Sequence, residues 1–326
     1  MIRGYILWMQ ITVVGAGAVG AYFGGRLAEA GHEVAFVARG ATLDALRARG
    51  LRVTSPEGDF TIHPVRASDR PAELGPADVV LLGVKAWQVP EAARAMGPLL
   101  GLDTFVVPLQ NGVEAPAQLA AALGAERVFG GLCHILAWVV SPGEILHEGA
   151  EPYVGFGELE GGVSERARRL EAAFAQARGL TAKALADVRT EMWRKFLFIA
   201  SASGLGAVTR APIGTFRAVP ETRDLLQRMM EEVREVAAAH GVALPAAAVA
   251  ETLAFTDLLP VEGTTSMQRD IVAGRPSELE AQNGAVVRLG RDRGVRTPVH
   301  DLVYRCLLPQ ERTARGARSP DRLSAP

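Results

Sequence analysis

Ile11-Thr12-Val13-Val14-Gly15-Ala16-Gly17-Ala18-Val19-Gly20 decides the fold of the first half of this chain. Four β-favouring residues run into Gly-x-Gly-x-x-Gly, and an alanine-rich helical pattern follows from Ala21 to Ala30. In such a turn the first glycine permits the tight bend and the second lets backbone approach a pyrophosphate. The third allows close packing of helix on strand. The phosphates then meet free N–H groups at a helix N-terminus, where the dipole favours negative charge. Gly31 to Val37 supplies a second strand, which completes the context this motif needs. The stretch reads as a dinucleotide site, with Gly15, Ala16, Gly17, Ala18, Val19 and Gly20 at the phosphates.

Outward from that motif, strands alternate with helices. A helix is expected over Thr42–Arg49, and a hairpin over Leu51–Val53 and Phe60–Ile62 around Pro56-Glu57-Gly58-Asp59. Asp78–Val84 is a continuous apolar run, as in a strand buried on both faces of a parallel sheet. Helix (Val89–Leu100), strand (Thr104–Leu109) and helix (Glu114–Leu123) follow, and this alternation predicts a doubly wound parallel sheet. Between Val128 and Gly157 several short β runs surround the turn Ser141-Pro142-Gly143, and Ser164–Arg178 returns to helix. From Asp187 onward the pattern is helical throughout.

The fold class is therefore α/β: an N-terminal Rossmann-type doubly wound sheet followed by an all-helical C-terminal domain. Residues 1–8 read as an extension, 9–183 as the dinucleotide-binding domain, 184–311 as the helical domain and 312–326 as a disordered, arginine-rich tail.

Composition narrows the function. At 326 residues and 48% hydrophobic, the chain can bury two cores. A formal net charge of −1 gives no attraction to nucleic acid or to an anionic membrane. No apolar run approaches the roughly 20 residues that span a bilayer, and residues 1–8 are too short for a secretory signal. The two cysteines, Cys133 and Cys306, suggest no disulfide framework, so a reduced, cytoplasmic setting is expected. No metal ligands are called for.

Three lysines stand among 35 basic residues: Lys85, Lys183 and Lys195. Where arginine serves for solvated charge, a lysine becomes a functional candidate, because ammonium and guanidinium are not interchangeable. Lys85 follows the carboxyl end of a buried strand, where ligands bind in open α/β sheets. Asn111, in Gln110-Asn111-Gly112, ends the next strand, although a turn alone accounts for an asparagine there. Lys195 lies in Thr190–Ile199, beside the helical stripe Val188, Met192, Phe196. Such a lysine either snorkels to water or, partly desolvated, serves as a general acid. Glu278, after Pro276-Ser277, reads as a carboxylate in the first turn of a helix.

The second strand ends in Ala38-Arg39-Gly40, where an NAD site would carry an acid for the ribose 2′-hydroxyl. Arg39 suits the 2′-phosphate of NADP, and no carboxylate is expected nearby to repel that group.

With these stretches assembled, the chain resembles the ketopantoate reductase (2-dehydropantoate 2-reductase) family over about residues 9–305. The fingerprint, Val84–Gln88, Gln110–Gly112, Glu191–Lys195 and the pair Ser266/Glu278 occur in the family's order. The resemblance implies an NADPH-dependent reductase of a small 2-keto acid in pantothenate biosynthesis, working in a cleft between the two domains. It assigns Arg39 to the 2′-phosphate, Lys85 to the adenosine end, and Asn111 to the vicinity of nicotinamide and substrate. It makes Lys195 the proton donor, Ser266 a contact for the substrate carboxylate, and Glu278 part of the cofactor–substrate junction. A homodimer is compatible with it.

Family members commonly carry asparagines four and eight residues after the lysine. Here those positions are Ile199 and Ser203, on the same helix face as Lys195. An apolar wall reads a substrate hydroxyl poorly, so Ser203 or Ser201 would have to supply that contact. The resemblance thus carries 2-keto-acid reduction further than it carries ketopantoate. The alternatives are another carbonyl substrate or an NADP-binding redox sensor without turnover. Retention of Lys195 speaks against the sensor, which needs no proton donor.

Overall fold

The computed structural model describes residues 8–316. The expected extension and tail lie outside these residues, apart from Trp8 and the stretch 312–316. The chain divides into two compact units: an α/β unit (residues up to Gln110, with Ala115–Arg189) and a helical unit (Asn111–Glu114, with Thr190 onward).

In the α/β unit the order is β1 (Gln10–Val14), α1 (Ala18–Glu29), β2 (Glu33–Val37), α2 (Gly40–Arg49), β3 (Leu51–Thr54), β4 (Phe60–Ile62) and β5 (Arg66–Ser68). Then come β6 (Ala77–Leu82), α3 (Val89–Ala95), β7 (Leu100–Pro108), α4 (Ala115–Leu123), β8 (Phe129–Ser141), β9 (Glu144–Glu158), α5 (Glu165–Phe174) and β10 (Thr181–Ala184). Five strands form a parallel sheet in the order β5-β2-β1-β6-β7. The chain leaves β1 in one direction toward β2 and returns to β6 on its other side. The switch point therefore lies at the carboxyl end of β1, where open α/β sheets bind ligands. The run Val79–Leu82 is apolar because it is covered on both faces. Val79 and Leu81 face the core shared with α1, while Val80 and Leu82 face the core under α3 and α4.

A second sheet, β10-β9-β3-β4 with β8 paired to β9, departs from the reading of Val128–Gly157 as several short runs. β8 and β9 are single strands of 13 and 15 residues joined at Pro142-Gly143. Polar residues and bulges interrupt their alternation, which hides their length in the sequence. α1 packs between the two sheets, and this explains consecutive glycines in a helix interior, where each costs about 1 kcal/mol relative to alanine. A Cβ at Gly24 would stand 2.5 Å from Val13 of the parallel sheet. One at Gly25 would stand 2.8 Å from Phe60 of the second sheet.

The helical unit contains α6 (Val188–Thr209, crossing the boundary), α7 (Ile213–Ala218), α8 (Pro220–Ala239), α9 (Ala248–Leu258), α10 (Ser266–Val272), α11 (Asn283–Asp292) and α12 (Pro298–Ala314). Its core joins Trp193, Phe196, Leu197 and Leu205 of α6 to Met229, Met230 and Val233 of α8 and to Val286 of α11. The division falls after Arg189, not after Lys183, because β10 belongs to the second sheet. The expected loss of order at Arg312 does not hold for its first residues. α12 runs on to Ala314, and Arg315 beyond it donates to the Ser277 carbonyl at 2.8 Å and to the Glu311 carboxylate.

No helix of the described residues is long and apolar enough to cross a membrane.

Candidate active site

In the α/β unit the fingerprint builds a cradle from backbone alone. Gly15 sits at φ +99°, a conformation side chains disfavour, and a Cβ there would lie 2.8 Å from the Val84 amide nitrogen. Its own N–H donates to the Val37 carbonyl at 3.0 Å, tying the turn to the end of β2. A Cβ at Gly20 would run into the Gly15 carbonyl oxygen. Gly17 differs: the nearest atom to a Cβ there would be the Gly83 carbonyl oxygen at 4.0 Å. A side chain at Gly17 would therefore fill open space in front of α1. Gly17 caps α1 without a side-chain hydrogen bond, and no acidic residue stands in the first turn. The amides that open α1 are thus suited to an anion. A dinucleotide pyrophosphate fits this arrangement.

Lys85 is exposed, just past the end of β6, with its Nζ 5.9 Å from the centroid of the Trp87 ring. Gln110 donates from Nε2 to the carbonyls of Leu82 and Val84, at 2.8 and 2.9 Å, and clamps the ends of β6 and β7. Arg39, the N-cap residue of α2, corrects one expectation. Its Nη1 donates to Oε1 of Glu91 at 2.8 Å, with both side chains more than half exposed. The sheet order brings this carboxylate, 52 residues away, across the switch point. No local pattern announces it.

In the helical unit, three sequence candidates meet. Lys195 Nζ donates to Asn111 Oδ1 at 2.9 Å, and Asn111 Nδ2 donates to Glu278 Oε2 at 3.3 Å. Lys195 is partly buried, one position from Phe196 and the apolar core, as its place on the stripe predicts. The short segment Asn111–Glu114 reaches this unit by packing backbone on backbone, for a Cβ at Gly112 would lie 2.8 Å from the Ala281 carbonyl oxygen. The arrangement orients an ammonium through an amide that a buried carboxylate holds in turn. Such a unit can hand a proton to an oxygen and stabilise negative charge forming there.

Glu278 corrects a second expectation. It lies in a turn ahead of α11, not within the first turn of a helix, and its carbonyl accepts from the amides of Ala281 and Gln282. Glu278 is 5% exposed, and its carboxylate accepts from the Asn111 side chain. Ser266 opens α10 behind the cap Thr265 and stands outside this chain of bonds among the described residues. Ile199 packs at the edge of the helical core. Ser201 and Ser203 are fully buried, which corrects the reading of Ser203 as a substrate contact, because a side chain with no exposed surface meets no ligand; among the described residues the Ser203 Oγ has no hydrogen-bond partner.

Behind α6, Asn283 Nδ2 donates to the Ala200 carbonyl at 3.1 Å and lies 3.0 Å from His300 Nδ1. His300 is wholly buried and lies 3.1 Å from the Met229 carbonyl through Nε2. Burial pushes the His300 imidazole down to about 4. In that neutral form Nδ1 accepts from Asn283 and Nε2 donates to Met229.

The family model for "Ketopantoate reductase PanE/ApbA" matches residues 11–161, and that for its C-terminal domain matches residues 187–311. The chain belongs to the ketopantoate reductase family. It is 34% identical to a 2-dehydropantoate 2-reductase of Mesorhizobium japonicum, over 90% of this chain and 95% of that one. It is 32% identical to the uncharacterized oxidoreductase YkpB of Bacillus subtilis, over 91% and 97% of the two chains. The crystal structure of 2-dehydropantoate 2-reductase from Methylococcus capsulatus superposes with a TM-score of 0.85 at 32% identity, covering 95% and 98%. Like its relatives in this family, the protein is an oxidoreductase.

Proposed function

We propose that this reductase converts a small 2-keto acid to the 2-hydroxy acid with NADPH, the substrate being ketopantoate and the product pantoate. The observation that carries the reading is the bond from Lys195 to Asn111, itself held by Glu278. A bound NADPH would supply the hydride that adds to the keto carbon. Gly15–Gly20 would hold the pyrophosphate, Lys85 the adenosine end and Arg39 the 2′-phosphate. Asn111 keeps the Lys195 ammonium in one orientation. Lys195 gives a proton to the carbonyl oxygen as that oxygen becomes an alkoxide, and its charge stabilises the oxygen meanwhile. The lysine regains its proton from water. Ser266 would take the substrate carboxylate.

The test is the consumption of NADPH by the purified protein on addition of ketopantoate, compared with 2-keto acids lacking its terminal hydroxyl. Consumption with ketopantoate supports the reading. Consumption only with the others makes this a reductase of a different 2-keto acid, as the apolar Ile199 would favour. Binding of NADPH with no consumption across the panel would leave the sensor.

A further inference from the structure

Glu91 is the carboxylate that the second strand lacks. It stands in the first turn of α3 and holds the Arg39 guanidinium at 2.8 Å. Arg39 lies two residues past Val37, whose carbonyl anchors the Gly15 amide, so the Arg39–Glu91 pair borders the phosphate cradle. Both side chains are open to solvent, at 66% and 58% exposure, and a ligand can reach either one.

The two nicotinamide dinucleotides differ at one position, where a ribose 2′-hydroxyl is replaced by a phosphate. A guanidinium attracts the phosphate, whereas a carboxylate one hydrogen bond from it repels the phosphate and competes for the same N–H donors. The hydroxyl is neutral and pays neither penalty. An exposed ion pair is weak enough to exchange partners. A phosphate can therefore displace Glu91, at a cost to its own affinity.

We propose that Glu91 is a specificity-determining residue that restrains the preference of this chain for NADPH over NADH. The proposal rests on the reading of Arg39 as the 2′-phosphate contact. Sequence spacing points to an NADP site at Ala38-Arg39-Gly40. The fold adds a residue that makes the site less exclusive than its arginine alone would be.

The experiment titrates native protein, Glu91→Gln, Arg39→Ala and the double variant with NADPH, NADH, adenosine 2′,5′-bisphosphate and AMP. Glu91→Gln keeps the shape and removes the charge at an exposed position. It should tighten NADPH and the bisphosphate by roughly three- to tenfold, the scale of removing a partly solvated like charge beside the phosphate. Affinity for NADH and AMP should stay within about twofold. The gain should be smaller in the double variant, where no guanidinium is left to release and only the like-charge repulsion is removed, and it should shrink at high salt. If Arg39→Ala weakens NADPH while Glu91→Gln leaves the NADPH-to-NADH ratio as it is, Arg39 keeps its role and the inference about Glu91 is overturned. If neither variant changes the ratio, both readings fall together.

Discussion

The glycine cradle is made of consecutive backbone groups at residues 15–20, whereas the Lys195 cluster draws side chains from positions 111, 195 and 278. The cradle binds by shape: one glycine at φ +99°, one space left open at Gly17, one contact that only a glycine permits at Gly20. The cluster acts by chemistry, through an ammonium whose position depends on an amide and a carboxylate. A backbone site survives most side-chain changes around it. A site of three side chains loses its purpose when one is removed, even though the fold remains.

The contrast breaks most sharply at Lys195. Lys195→Ala should fold and bind NADPH with native affinity, since the cradle belongs to the other unit, yet kcat should fall by about 10²–10⁴. Titration of the nucleotide alongside single-turnover kinetics checks both halves. Loss of nucleotide binding in this variant would erase the distinction between the two regions.

Acid should strain the helical unit through His300. Its folded pKa of about 4 lies below the ordinary value of 6.5. Between those values the unfolded chain binds more protons, so stability is lost as the pH falls from about 6.5 toward 4. The total from this one group is about 3 kcal/mol, at about 1.4 kcal/mol per pH unit. Two other groups bear on the profile. Burial also lowers the His147 imidazole of the α/β unit, which adds in the same direction, and raises the Glu232 carboxyl, which acts in the opposite one. Chemical denaturation of native protein and His300→Gln at pH 7 and pH 5 isolates the His300 share. A native profile no steeper than that of the variant would refute the assignment.

How much of each region was legible follows from how each is built. The cradle could be read at once, because the glycine spacing encodes a local conformation and the flanking strand and helix are contiguous with it. Each member of the cluster has an ordinary local explanation: a turn asparagine, a snorkelling lysine, an acidic helix start. Only the resemblance to a family placed the three together before the fold did. Asn111 belongs to the helical unit although it follows a strand of the α/β unit, and no periodicity reports that. The partner of Arg39 was hidden for the same reason, since Glu91 arrives through strand order and not through neighbouring sequence. The long β8–β9 hairpin was missed because bulges break its alternation.

A smaller effect sharpens the description of the cluster's surroundings. Ile199 gives the helix face beyond Lys195 no hydrogen-bonding group. Ile199→Asn should shift the ratio of kcat/KM for ketopantoate over its deoxy analogue by roughly 1–2 kcal/mol toward the hydroxylated substrate, the scale of one net hydrogen bond. A native ratio already near 10⁴, which a dedicated polar pocket can reach, would show that another residue reads the hydroxyl.

The most direct test of the chemistry assigned to Lys195 is the turnover of Lys195→Arg, measured on a preparation shown to bind NADPH. Arginine keeps the positive charge and can still bond Asn111, but a guanidinium does not give up its proton near neutral pH. Native nucleotide affinity and a turnover as low as that of the alanine variant are expected. An arginine enzyme that retained most of the native rate would contradict this, leaving Lys195 as an electrostatic anchor with the acid elsewhere.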